Sequence, residues 1–151
     1  MSIPRHRRYP LLRPKKGRCR FCGEGCEPHR TWHDGCGEMY NDITIVRRTR
    51  RMLADRDGPF CRICGSGNGD LMTDGALVFF EVDHIVPLAV GDGWPPERRR
   101  ELFMPGNLQL LCHSCHARKT AEDRRLIREM RRRNGRCSTV CTTTAERSSA
   151  T

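Results

Sequence analysis

The stretch Asn107-Leu108-Gln109-Leu110-Leu111-Cys112-His113-Ser114-Cys115-His116-Ala117-Arg118-Lys119-Thr120 decides how the rest of this chain is read. A short apolar run leads straight into two cysteines separated by two residues. A second such pair, Cys61-Arg62-Ile63-Cys64, stands 47 residues upstream. Tetrahedral Zn(II) takes four thiolates at about 2.3 Å, and a two-residue gap lets both sulfurs of one tight turn face a single point. The two turns together therefore predict one structural zinc site, Cys61, Cys64, Cys112 and Cys115. Redox use of a CxxC pair needs a βαβ context, which the pattern around these cysteines does not offer.

A further set lies closer to the N-terminus. Cys19-x-x-Cys22 and His33-x-x-Cys36 offer three thiolates and an imidazole for a second zinc ion, with Cys26 competing with His33 for the fourth position. Cys137 and Cys141 sit in a polar tail without matching partners and read as spare thiols.

Composition agrees with a stapled domain. Of 151 residues only 36% are hydrophobic, against about 45–50% in an ordinary domain. A core that small needs cross-links, and ten cysteines can supply them as metal ligands. The formal net charge is +10, from 28 Lys and Arg against 18 Asp and Glu, and implies a polyanionic partner, nucleic acid before a membrane face. No apolar run approaches the roughly 18–20 residues of a membrane span, and the basic start has no apolar stretch of signal-peptide length. The expected setting is therefore reducing and cytoplasmic, and not secreted; there, paired cysteines hold metal before they form disulfides. The 25 Arg against three Lys hint at a GC-rich bacterial or phage genome, hence a bacterial or phage-infected cell.

Along the chain, residues 1–18 carry seven basic side chains, three prolines and no acid, and predict a disordered basic arm. Residues 19–57 read as the Cys/His knuckle followed by one Arg-rich helix over 37–57, on the spacing of Met39, Ile43, Val46, Leu53 and Ala54. The block 58–134 follows, with a strand over Ala76–Val82, a continuing or returning strand at Ile85–Leu88, and a short helix from Pro96 to Phe103. Asn107–Leu111 leads into the last knuckle, and a helix over Thr120–Arg133 starts from the capping pattern Thr120 and Asp123. Residues 135–151 read as a disordered tail.

Between the knuckles of the first zinc set runs Glu81-Val82-Asp83-His84-Ile85-Val86-Pro87-Leu88. Asp83 and His84, Asn107, and His116 after the last cysteine, together with the run from Asn107 to Thr120, closely resemble the HNH endonuclease family over residues 58 to 125. The resemblance implies an α+β fold: a small zinc-stapled ββα-metal core, treble-clef-like, with flanking helices and the knuckle module in front. It implies cleavage of DNA phosphodiester bonds, with His84 as general base. Asp83 and His116 would ligate a catalytic Mg(II) or Mn(II), separate from the structural zinc. Asn107 would pin the loop that carries His84, and Arg118 and Lys119 would contact flanking phosphates. The residue types suit the chemistry, because hydrolysis wants a base for water and a cation for the charge growing on phosphate, and a neutral imidazole with an unperturbed pKa near ~6.5 can take a proton at physiological pH. The alternative is a zinc-stapled nucleic-acid-binding module without catalysis, for which the trio Asp83, His84 and His116 has no use. Two departures stand out: the interval of 23 residues from His84 to Asn107, and the inserted segment Asp92–Arg100, whose Arg98, Arg99 and Arg100 read equally as a phosphate track or a solvated helix face.

Overall fold

The computed structural model describes residues 8–71 and 77–145, with side chains as far as Asn134. The chain divides after His116 into two compact units. In order, the elements are α1 (Asp34–Thr44), α2 (Val46–Asp57), β1 (Phe80–His84), α3 (Pro96–Glu101), β2 (Leu108–Cys112) and α4 (His113–Ala145), with short 3-10 turns at Leu88–Gly91 and Pro105–Asn107. No helix among the described residues is long and apolar enough to cross a membrane.

Helices and a small sheet make the α+β class expected from the sequence. β1 and β2 pair antiparallel, with Phe80 opposite Cys112, Val82 opposite Leu110, Asp83 opposite Gln109 and His84 opposite Leu108. All five residues of β2 are buried. The larger core cluster gathers Leu53 from α2, Cys61, Val78, Phe80, Leu108, Leu110, Leu111, Cys112 and Cys115. Arg56 ties α2 to this sheet, donating from Nη1 to Pro105 O at 2.6 Å and from Nη2 to Leu108 O at 3.0 Å. Its ion pair with Asp57 holds that carboxyl below its ordinary range. Gly58 then ends the helix at φ 87°, a conformation open to glycine, with its N–H bonded to Ala54 O.

Several expectations are corrected. The helix foreseen over 37–57 is two helices broken at Ile45 (φ −95°, ψ 103°). The β-branched run Ile43-Thr44-Ile45-Val46 disfavours continuation, and Thr44 Oγ1 donates back to Tyr40 O at 2.6 Å. The break lets Ile43 pack against both core clusters. The strand foreseen over Ala76–Val82 starts only at Phe80, since Val78 is tied by its backbone to Gly69 and Asp70; residues 72–76 lie outside the described residues. Ile85–Leu88 is no strand: Ile85 N–H makes one last cross-strand bond, to Asn107 O at 2.8 Å, after which the Asn107 side chain takes both backbone groups of Val86 and Pro87 opens a 3-10 turn. β2 is the returning strand instead.

α4 begins at His113 rather than Thr120, so the CxxC-His segment forms its first turn. Asp123, foreseen in a cap, pairs with Lys119 at 2.6 Å. The basic arm foreseen over 1–18 is structured from residue 8 onward. Tyr9 is 6% exposed and stacks on Phe21 with ring centroids 4.7 Å apart. It belongs to a second cluster with Cys19, Leu102 and Phe103. The tail foreseen from 135 is helical as far as Ala145. Arg98–Arg100 form no single phosphate track: Arg98 lies over the Trp94 ring at 4.0 Å, and Arg100 is buried, donating to Phe21 O at 3.1 Å.

Leu53 is fully buried in the larger cluster, whereas Leu126 on α4 is 48% exposed. Leu53→Ala should cost about 2–5 kcal/mol in urea denaturation of the zinc-loaded protein. Leu126→Ala should stay within about 0.5 kcal/mol of wild type in the same measurement.

Candidate functional site

Two groups of donor atoms converge in the first compact unit. In each of them, Cys61, Cys64, Cys112 and Cys115, and Cys19, Cys22, His33 and Cys36, the donor atoms lie within 4.8 Å of one another. A tetrahedron with arms of about 2.3 Å has edges of about 3.8 Å. The Sγ atoms of Cys64 and Cys112 are 3.7 Å apart, and His33 Nδ1 lies 3.5 Å from Cys22 Sγ and 3.6 Å from Cys36 Sγ. Both sets fit zinc. Cys26 is not part of the second set; its Sγ faces Arg30 O at 3.3 Å, so the competition between Cys26 and His33 is decided for His33. His33 Nε2 sits 2.9 Å from Gly25 O, a carbonyl that can only accept, so Nε2 carries the proton and Nδ1 turns its lone pair to the cysteines.

The thiols reflect this crowding. Burial and the neighbouring sulfurs push Cys115 up to about 12, while hydrogen bonds from Ser66 bring Cys64 down to about 6. Likewise, burial and its cysteine neighbours push Cys36 up to about 12. Burial also raises Cys19, but the backbone N–H groups of Cys22, His33 and Phe21 outweigh it and bring this thiol to about 6. Four sulfurs at one point repel one another as thiolates, and a dication at their centre turns that repulsion into binding.

The remaining candidates lie along β1 and at the start of α4. Alternation along the strand puts Glu81 and Asp83 on one face, Val82 and His84 on the other. On the first face His116, one turn into α4, meets both carboxylates: Nε2 lies 3.8 Å from Asp83 Oδ1, and Nδ1 lies 2.9 Å from Glu81 Oε2. Gln109, the cross-strand partner of Asp83, donates from Nε2 to Asp83 Oδ2 at 2.9 Å. A separation of 3.8 Å is too long for a hydrogen bond, yet two ligands about 2.1 Å from one ion stand between about 3 and 4.2 Å apart. The donor pair of carboxylate and imidazole thus fits a divalent cation.

On the opposite face, His84 contacts Phe103 edge-to-face, with centroids 6.0 Å apart. It lines a cavity of about 530 Å³ together with Tyr40, Val82, Phe103 and Leu108. Asn107 fixes the segment that follows His84: Oδ1 accepts from Val86 N–H at 2.8 Å, and Nδ2 donates to Val86 O at 3.0 Å and to Leu102 O at 2.7 Å. The structure thus joins Asp83 to His116, and Asn107 to the segment after His84. Arg118 and Lys119 belong to the second unit, where Lys119 is engaged by Asp123. Cys137 and Cys141 lie beyond the last described side chain. Two residues left without a role by the sequence, Glu81 and Gln109, touch the Asp83–His116 pair. The signal that could have found them is the period of two in Glu81-Val82-Asp83, which puts Glu81 beside Asp83.

A family model described as HNH endonuclease matches residues 61–122. The chain is also 37% identical over 78 residues to a protein named "Probable HNH endonuclease" from Lactococcus phage SK1, covering 50% of this chain and 69% of that one. The chain belongs to the HNH endonuclease family. No solved structure matches it. Membership carries nuclease activity with it, and the matched span contains the four-cysteine cluster, β1, β2 and the first turns of α4. The Cys19–Cys36 module and the broken helix pair lie outside that span.

If both clusters hold zinc, the purified protein contains about two zinc ions per chain. Cys19→Ser combined with Cys22→Ser should lower this to about one, while Cys26→Ser should leave both. Metal analysis by emission spectroscopy after gel filtration checks all three.

Proposed function

We propose that this HNH endonuclease is a divalent-cation-dependent enzyme that hydrolyses phosphodiester bonds in DNA, with His84 as general base. The observation that carries the reading is the 3.8 Å approach of Asp83 Oδ1 to His116 Nε2 on one face of β1, with His84 on the other. In-line displacement at phosphorus needs the attacking oxygen and the leaving oxygen on opposite sides. A base and a cation site flanking the same strand supply that opposition to a phosphate lying along its edge. β1 pairs with β2 on one side only among the described residues.

In this reading Asp83 and His116 hold the cation, and Gln109 fixes the second oxygen of Asp83. A Mg(II) or Mn(II) ion held by Asp83 and His116 would supply Lewis-acid stabilisation of the negative charge that grows on the phosphate. His84 takes the proton as water attacks phosphorus; the P–O3′ bond breaks, the leaving 3′ oxygen takes a proton from solvent water, and the products carry a 5′-phosphate and a 3′-hydroxyl. Asn107 holds the turn after His84 by two side-chain hydrogen bonds to Val86 and is itself anchored by a third to Leu102 O, which keeps the imidazole from swinging out of line. The zinc clusters take no part in the chemistry.

Binding to DNA rests on charge. The body of α4 carries Arg124, Arg125, Arg128, Arg131, Arg132 and Arg133, and Arg118 precedes them, so phosphate contacts from this helix would tolerate any base sequence. A cytoplasmic place of action is part of the same reading, and its support is the arrangement of the cysteines as metal-ligand sets, which need reduced thiols.

The test is relaxation of supercoiled plasmid with Mg(II) or Mn(II). The wild type should nick or linearise it, more weakly as salt rises, and His84→Ala should be about 10²- to 10⁴-fold slower with zinc content and DNA affinity retained. Plasmid left equally intact by wild type and His84→Ala across metals and salts would count against catalysis. DNA retention without cleavage would instead favour a binding module.

A further inference from the structure

We propose that Glu81 is a positioning residue of the cation site: its carboxylate clamps the imidazoles of His113 and His116 and so fixes which nitrogen His116 turns toward Asp83. The proposal rests on the cation site assigned above. His113 Nδ1 lies 2.8 Å from Glu81 Oε1, and His116 Nδ1 lies 2.9 Å from Glu81 Oε2. An ionised carboxylate only accepts hydrogen bonds, so both Nδ1 atoms must carry protons. A neutral His116 ring then has its lone pair on Nε2, the atom that faces Asp83 Oδ1. Left to itself an imidazole samples both tautomers and both ring orientations, and one of those tautomers would present N–H to a cation. A carboxylate behind a metal-binding histidine removes that choice and makes the ring a stronger ligand.

Placement makes the clamp specific to this fold. Glu81 is two residues before Asp83 on the same face of β1, so the strand that supplies the cation carboxylate also supplies the orienting one. His113 and His116 are three residues apart on the first turn of α4, hence on one side of it. His113 also lies between the zinc-cluster cysteines Cys112 and Cys115. Its hold on the second oxygen of Glu81 ties the carboxylate to the zinc-bearing turn. The zinc cluster and the cation site are thereby joined through one side chain.

Three measurements on the full chain loaded with zinc test this. Mn(II) binding is followed by electron paramagnetic resonance, zinc by metal analysis, and histidine tautomers by long-range proton–nitrogen correlation spectra at about pH 8, where an ordinary imidazole is neutral. Wild type should show His116 as the Nδ1–H form. Glu81→Leu should keep its zinc, show Nε2–H signal for His116, and bind Mn(II) about 10- to 100-fold more weakly. Glu81→Gln, which keeps an acceptor but not the charge, should retain the Nδ1–H form with a smaller loss of affinity. Equal Mn(II) binding by wild type and Asp83→Ala would overturn the cation site itself. Loss in Asp83→Ala, with unchanged affinity in zinc-replete Glu81→Leu or Glu81→Gln, would overturn the role of Glu81 alone. A wild-type His116 in the Nε2–H form would do the same.

Discussion

Four sulfurs that must meet at one point, two from a turn at 61–64 and two from a turn at 112–115, are the constraint on which the rest of this domain depends. The 47 residues between them contain β1, the Leu88–Gly91 turn, α3 and most of β2, so closing the cluster closes a loop that carries Glu81, Asp83, His84 and Asn107 and brings His116, just past it, up to β1. The apolar contribution is modest: one row of buried residues on β2, Leu53 from α2, and little else outside the second cluster. A core of that size sits near the limit of what burial alone can hold against chain entropy. A tetrad of donors that fits zinc would add binding energy to that modest core, and the thiols that resist ionisation in each cluster, Cys115 and Cys36, are those whose deprotonation such binding would drive.

The elements written in local chemistry were legible in the sequence. Two CxxC pairs marked the first cluster, Cys19-x-x-Cys22 with His33-x-x-Cys36 marked the second apart from the choice between Cys26 and His33, and Pro96 marked the start of α3. The Asp83–His84 pair, Asn107 and His116 were recognisable only as a joint pattern, since each alone has an ordinary explanation. What the sequence hid were the tertiary choices. The spacing of Met39 to Ala54 is helical on both sides of Ile45, and only packing of Ile43 between two clusters shows why the helix breaks there. Ile85–Leu88 has strand composition, yet the backbone and side chain of Asn107, 21 residues downstream of Val86, claim its hydrogen bonds first. Tyr9 stands in a stretch whose composition reads as disordered, yet it stacks on Phe21, meets Tyr40 and Phe103 edge-on and donates its hydroxyl to Phe21 O, contacts that composition does not reveal. The choice between Cys26 and His33 could not be made from spacing, because the outcome depends on where Gly25 places its carbonyl.

Gln109 shows a different limit. A glutamine within an apolar strand reads as an interruption, and at 6% exposure it is the kind of buried polar group that must find a partner. Its partner is the carboxylate directly across the sheet. Register alone brings the two together, and register is what a single-sequence reading of two separated strands does not supply.

The two clusters also divide the labour of holding the site. Cys112 and Cys115 sit at the junction of β2 and α4, so the first cluster fixes the turn that presents His113 and His116 to Glu81 and, through His116, to Asp83. Cys19 of the second cluster packs with Tyr9, Phe21 and Phe103, and Phe103 is the ring that His84 meets edge-to-face. One of the two donor sets that fit zinc thus backs the Glu81–Asp83 face of β1, and the other backs the His84 face. The N-terminal module lies outside the segment matched by the family model, yet its core reaches the ring that His84 meets. Among the described residues β1 is five residues long and paired on one side, too small to fix the side chains of both its faces unaided. Separate donor clusters behind the two faces, each fit to hold zinc, offer a physical reason for a second knuckle module in front of an otherwise compact core.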